Sequence, residues 1–182
     1  MEKTLDNLNI ELQENSTIIN NLVSNVISEY SADLDSLMSD LHAAVTQQDA
    51  ASTDLLERYY AELSTMTYFM CERIEKLNIL SDLSRAKLKE AYNDMYIKVC
   101  AEKDEKGKSI RTINENTALA EDGSKYESTL NIVYDQAYKT LKMKVDMAME
   151  MVSTLKHILK RRTQEEFMNS SVSALRNNGG SN

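Results

Sequence analysis

No proline occurs in the 182 residues, and two of the four glycines sit in the terminal Asn177-Asn178-Gly179-Gly180 stretch. Proline breaks helices and glycine punctuates turns, so the chain lacks the residues that normally end elements. An all-β or α/β domain of this length needs many turns, and both are excluded. Tryptophan is absent and only two phenylalanines occur, leaving nine tyrosines and ten methionines to supply bulky and adaptable apolar surface. Two cysteines, Cys71 and Cys100, are too few for a disulfide framework and are expected to be reduced, small, buried apolar groups. No stretch reaches the ~18 apolar residues of a membrane span. Met1-Glu2-Lys3-Thr4-Leu5-Asp6 has no basic leader before an apolar run, so a cytoplasmic location is expected.

What is present is helical periodicity. Hydrophobic residues make up 42% and charged residues 27% of the chain, enough apolar surface to fold. Ile19, Leu22, Val23, Val26, Ile27, Tyr30, Leu34, Leu37, Met38, Leu41 and Val45 step by three and four, which predicts one helix from about Leu5 to Gln47. After a break at 47–53, Asp54 with Glu57 reads as a capping box for a second helix running to about Ala101. Its stripe includes Leu55, Tyr59, Leu63, Met66, Met70, Ile74, Leu77, Leu83, Leu88, Tyr92, Met95, Tyr96 and Val99. Residues 102–124 read as a loop in which Ile110, Ile113 and Leu119 can anchor a short helix. Ser124 with Glu127 reads as a second capping box, opening a third long helix from Lys125 to about Phe167. From Asn169 the Ser/Asn/Gly-rich chain reads as a tail.

The expected fold is therefore all-α: an elongated antiparallel bundle or coiled coil of about three long helices, its burial completed by oligomerisation. The expected divisions are an acidic N-terminal helix at 1–50, a helix–loop–helix core at 51–168, and a disordered tail at 169–182.

Charge is unevenly spread. The net charge is −8, yet residues 1–57 carry eleven acids against one lysine, and 58–182 carry eighteen acids against twenty Lys/Arg. Residues 139–162 hold seven cations against Asp146 and Glu150. An acidic arm and a basic helix in one chain point to self-association or to two different partners.

Little asks for catalysis. Gly107-Lys108-Ser109 ends like a phosphate loop, but Glu102 stands where the motif needs glycine, so the segment reads as a charged turn. His42 and His157 lie on different helices and no Cys-x-x-Cys or Glu-x-x-His pair occurs, so no metal or cofactor is expected. The expectation is a non-enzymatic protein. Met143, Met147, Met149 and Met151, at helical spacing, read as core. Lys156, Lys160, Arg161 and Arg162 cluster where cations either complement a helix C-terminus or neutralise phosphates. With Lys142 and Lys144 they form the candidate nucleic-acid set. Tyr59, Tyr60, Tyr68, Tyr92 and Tyr96 could stack on unpaired bases. Glu29, Asp33, Asp35 and Asp40 form the candidate protein-binding set.

Tyr60-Ala61 through Met66 and Tyr68, followed by Lys87-Leu88-Lys89-Glu90-Ala91-Tyr92-Asn93-Asp94-Met95-Tyr96, resembles the central helix of the UvsY-like recombination mediators of phages. Leu141-Lys142-Met143-Lys144-Val145-Asp146, continuing through Ser153-Thr154-Leu155-Lys156 to Arg161 and Arg162, is similar to the helix after the loop in that family. The likeness covers about residues 55–165. It implies an oligomer that binds single-stranded DNA and helps load a recombinase. The acidic first fifty residues and the negative net charge depart from that pattern and favour a protein target. In size, acidity and helical composition the chain is also similar to phage anti-CRISPR proteins, which implies a Cas-type effector as the alternative partner. The remaining alternative is a structural coiled-coil scaffold.

Overall fold

The structure, a computed structural model, describes residues 5–46 and 51–178, with side chains described at 13–46 and 51–171. It is an all-α bundle, with four helices among the described residues: α1 (Leu5–Thr46), α2 (Thr53–Ala101), α3 (Ile113–Gly123) and α4 (Lys125–Asn178). Two compact units are formed: unit 1 from Met1–Tyr30 and Arg73–Lys142, unit 2 from Ser31–Glu72 and Met143–Asn182. α1, α2 and α4 each contribute a segment to both.

Unit 2 buries most of the apolar stripe that the spacing predicts, with Leu56 turned inward in place of Leu55 and Val45 left exposed. Leu34, Leu37 and Leu41 from α1, Leu56, Leu63 and Met70 from α2, and Val145, Ala148 and Leu155 from α4 are all buried. Their three- and four-residue steps put one line of large side chains on each helix, and three such lines close a core. Each fully buried aliphatic side chain contributes roughly 1.5–3 kcal/mol by leaving water.

Unit 1 is built differently. Its core mixes Ile27, Leu77, Val99, Val133 and Leu141 with Ala120 and Ala137 and with the buried polar residues Ser81, Ser84, Asn116 and Ser124. Small side chains let helix backbones approach closely, and their hydroxyls are satisfied locally. Ser84 Oγ donates to Ser81 O at 2.7 Å, and Ser124 Oγ donates to Ala120 O at 2.9 Å. Met95 lies against Gly123, so closely that a Cβ there would meet the Met95 side chain. Gly123 ends α3 just before α4 begins, and Ser84 lies beside Asn131 further along α4, so α2 and α4 run antiparallel in this unit.

The helix termini revise three local readings. The first residues of α2 are capped by Ser52, whose Oγ accepts from Leu55 N at 3.2 Å, and not by Asp54. Ser124 turns its hydroxyl back to Ala120 and Glu121 and closes α3, so it does not open α4 with Glu127. The capping box is at Thr112–Glu115, opening α3: Glu115 N donates to Thr112 Oγ1 at 3.3 Å and Thr112 N donates to Glu115 Oε2 at 2.8 Å. This hydrogen bonding holds the Glu115 carboxyl below its ordinary value. α3 thus fills the second half of the 102–124 segment, leaving 102–112 as the connection.

α4 continues to Asn178, ten residues into the segment read as a tail. Serine and asparagine each cost less than about 0.7 kcal/mol in a helix, and no proline or glycine stands before Gly179 to stop it. Residues 47–50 of the expected break and 179–182 of the expected tail lie outside the described residues.

Candidate nucleic-acid and partner-binding surfaces

The six basic residues separate into two groups. Lys142, at the end of unit 1, is exposed, as are Lys156 and Lys160 in unit 2, and none of the three makes an ion pair with a described residue. Arg161 is exposed beside Glu165, with Nε 3.6 Å from Oε1. Lys144 and Arg162 are used inside unit 2. Lys144 Nζ donates to Asp35 Oδ2 at 2.6 Å and to the buried Ser31 Oγ at 3.1 Å. Ser31 Oγ in turn donates to Asp35 at 2.8 Å. Arg162 is half-buried and donates to Ala51 O at 2.5 Å, tying α4 to the residue before the α2 cap.

The place of these cations on α4 decides between the two roles considered for them. A helix dipole acts within the last turn. Arg162 is sixteen residues from the end of α4 at Asn178, so Lys156, Lys160, Arg161 and Arg162 do not complement a helix C-terminus. Lys156 and Lys160, one turn apart, share a solvent-facing side of α4.

The acidic set is also divided. Asp35 belongs to the Lys144–Ser31 network, which withdraws one member of each predicted set into a single intrachain contact. Glu29, Asp33 and Asp40 are exposed on α1, Glu29 in unit 1 and the aspartates in unit 2. Their spacing of four and seven places them along one side of that helix.

A further surface escaped the sequence reading. Arg85, Lys89 and Tyr92 on α2 face Glu121, Ser124 and Ser128 across a groove of about 570 Å³ in unit 1. Arg85, Lys89, Tyr92 and Tyr96 are spaced by four, three and four, so two cations and two rings share one face of α2. The Tyr92 and Tyr96 rings are stacked, centroids 6.2 Å apart and planes at 15°. Cys100, one turn on, raises the Tyr96 phenol above its ordinary value by charge repulsion and hydrogen bonding. Arg85 also meets Asp82 and Asp135, at 3.2 and 3.7 Å. The tyrosines were visible in the sequence; that Arg85 and Lys89 share their face follows from the same three-and-four spacing, which the sequence reading applied to apolar residues alone. Of the other tyrosines, Tyr59 and Tyr60 are half-buried and Tyr68 is exposed, edge to face with Phe69 at 5.5 Å.

The Gly107-Lys108-Ser109 segment is a tight reversal. Gly107 takes φ +75°, Gly107 N donates to Asp104 O, and Asp104 and Lys108 pair backbone to backbone. Asp104 Oδ1 accepts from the backbone N–H groups of Lys106 and Lys108, at 2.9 and 2.8 Å. The chain's own carboxylate therefore occupies the amides that a phosphate would need. Glu102 and Arg111 close the base of this loop at 2.6 Å.

Two residue classes sit differently from the expectation. Met143, Met147 and Met149 are exposed, with only Met151 half-buried, because Leu141, Val145, Ala148 and Leu155 take the inward stripe of α4. Cys71 is exposed, since Met70 and Thr67 occupy the inward positions beside it; Cys100 is half-buried and receives a hydrogen bond from Asn116 Nδ2 at 3.4 Å. Among the described residues, no three His, Cys, Asp or Glu side chains converge as a metal ion would require, and no helix is long and apolar enough to cross a membrane.

No protein-family model, curated protein or solved structure matches this chain.

Proposed function

We propose that this chain is a non-enzymatic, cytoplasmic, self-associating protein that binds single-stranded DNA and a recombinase, in the manner of the recombination mediators that it resembles. The observation that carries the DNA arm is the exposed Lys156–Lys160 pair with Arg161 beside it, placed in the middle of α4 where neither a helix dipole nor strong intrachain pairing uses the charge. The cation-and-tyrosine face of α2 supplies the complementary chemistry, charge for phosphates and rings for unpaired bases. The acidic side of α1 is suited to a basic protein partner, the recombinase in this reading.

The test is fluorescence anisotropy of a labelled single-stranded oligonucleotide at about 50 and 200 mM salt. Three phosphate contacts on a single strand predict a fall of roughly twentyfold in affinity over that range. Replacing Lys156, Lys160 and Arg161 by alanine is expected to flatten the log–log salt slope by about two. Absence of binding at low salt overturns the DNA arm. The exposed acids Glu29, Asp33 and Asp40 favour one second reading, a nucleic-acid mimic that blocks a Cas-type effector as anti-CRISPR proteins do. That reading predicts protection of target DNA from cutting, with protection lost when the acids become Asn or Gln. A scaffold would show neither activity.

A further inference from the structure

On the flank of unit 1, α2 and α4 leave a second groove of about 330 Å³ between them. Leu80, Leu83, Ser84, Tyr126, Leu130 and Tyr134 line it, with Lys87 from α2 and Glu127 from α4 as its charged rim. Leu80, Leu130 and Tyr134 are half-buried, and their apolar neighbours stand further out. Leu83 is 50% exposed, Tyr126 is 71% exposed, and Ile79, one turn before Leu83, is 63% exposed. The buried core of unit 1 runs beneath the groove through Ser81, Val133 and Ala137, and Ser84, buried as well, forms part of the groove wall. An antiparallel helix pair with an open apolar flank is half of a four-helix arrangement.

The rim charges say what completes it. Lys87 and Glu127 line the same groove, yet neither makes an ion pair with any described residue, each other included. A surface bearing one unpaired cation on one helix and one unpaired anion on the facing helix is complementary to itself. In a two-fold interface residue i meets j while j meets i, so a single such pair generates two ion pairs. We propose that a second copy of this chain docks on this groove about a two-fold axis parallel to α2 and α4. Leu80, Leu83, Tyr126 and Leu130 of both copies form the shared core, and Lys87 of each copy meets Glu127 of the other. The proposal rests on the self-association included in the functional reading, and not on its DNA arm.

The experiment is light scattering on the full chain eluting from gel filtration, over roughly 5–100 µM, with circular dichroism confirming unchanged helicity. The unaltered chain is expected at twice its monomer mass or an even multiple, and Leu83→Glu at half the mass of the unaltered chain. Leu83 is half exposed, so the substitution does not disturb the core of the unit. Lys87→Glu and Glu127→Lys are each expected to weaken association about tenfold at low salt, because each places two like-charge pairs across the interface. Mixing these two variants in equal amounts is expected to restore association. One copy then carries an acid at both rim positions and the other a lysine at both, so each of the two contacts again joins opposite charges. A monomeric unaltered chain at every concentration overturns self-association altogether. An oligomer unmoved by Leu83→Glu, or a mixture no tighter than either single variant, overturns this face alone.

Discussion

Unit 2 closes its core mainly with large aliphatic side chains, Ser31, Thr67 and Ala148 aside, whereas unit 1 sets Leu77, Val133 and Leu141 among serine, alanine and asparagine. In unit 2, Leu34, Leu41, Leu63, Met70, Val145 and Leu155 are almost completely removed from water. Unit 1 has Ser81, Ser84, Asn116, Ser124, Ala120 and Ala137 in equivalent inward positions, while Leu83, Tyr126 and Ile79 remain outside. The same helical periodicity serves both. The difference teaches that a three-and-four spacing marks the inward line of a helix without saying how much apolar area that line buries. Where the inward residues are small, helices come close and larger apolar groups are left on the flank, available to a partner.

The sharpest way to break this comparison is to empty one core. Leu63→Ala in unit 2 is expected to cost about 2–5 kcal/mol, as a buried leucine replaced by alanine loses its transfer energy and leaves a cavity. Ser84→Ala in unit 1 removes one hydroxyl with local partners and is expected to cost less than about 1.5 kcal/mol. Urea denaturation measures both. Equal losses would mean that unit 1 is closed as tightly as unit 2.

Asn116 sharpens it further. It is buried on α3, its Nδ2 donates to Cys100, and its Oδ1 has no partner. A buried polar atom without a hydrogen bond costs roughly 1–3 kcal/mol. Asn116→Leu, close to it in shape, is therefore expected to raise stability by part of that amount in the same denaturation experiment. A loss instead would mean that the Cys100 thiol feeds Asn116 Oδ1 and that the core of unit 1 is fully satisfied.

The smallest effect lies at the start of α3. Thr112→Ala removes the cap and is expected to cost about 1 kcal/mol at neutral pH. Because the folded state holds Glu115 below its ordinary value, its contribution is fully present above the ordinary carboxylate range. It is lost as pH falls through the lowered folded-state value. The difference in melting temperature between the unaltered chain and Glu115→Gln should accordingly shrink to nothing in acid. A difference that persists there would assign the effect to side-chain shape and not to charge.

Helix boundaries show why some features were legible and others were not. The start of α4 at Lys125 agrees with the expectation, although the Ser124–Glu127 box on which that expectation rests does not form. The extents of α1 and α2 follow from apolar periodicity and from the absence of proline. The caps did not, because several Ser/Thr/Asp-x-x-Glu sets compete in this sequence. Thr112-Ile113-Asn114-Glu115 carries the same pattern as Ser124-Lys125-Tyr126-Glu127, and only the turn at Gly107 and the packing of α3 decide which threonine or serine is free to cap. The candidate site was half legible. Lys156 and Lys160 stand in solvent as their spacing away from the apolar stripe implies. Lys144, Asp35 and Arg162 read as equally available and are instead bound within unit 2, since Lys144 and Asp35 lie 109 residues apart in sequence and spacing along one helix carries no information about a partner on another.

By itself the sequence determined that this chain is helical, where its long helices begin, and most of the inward line of unit 2, because proline, glycine and apolar spacing act locally. Tertiary structure alone decided which charges are consumed within the fold, that Met143, Met147 and Cys71 face solvent, and that one apolar flank of unit 1 stays open. Those outcomes depend on which helices meet and how closely, and that is set by the size of the side chains between them.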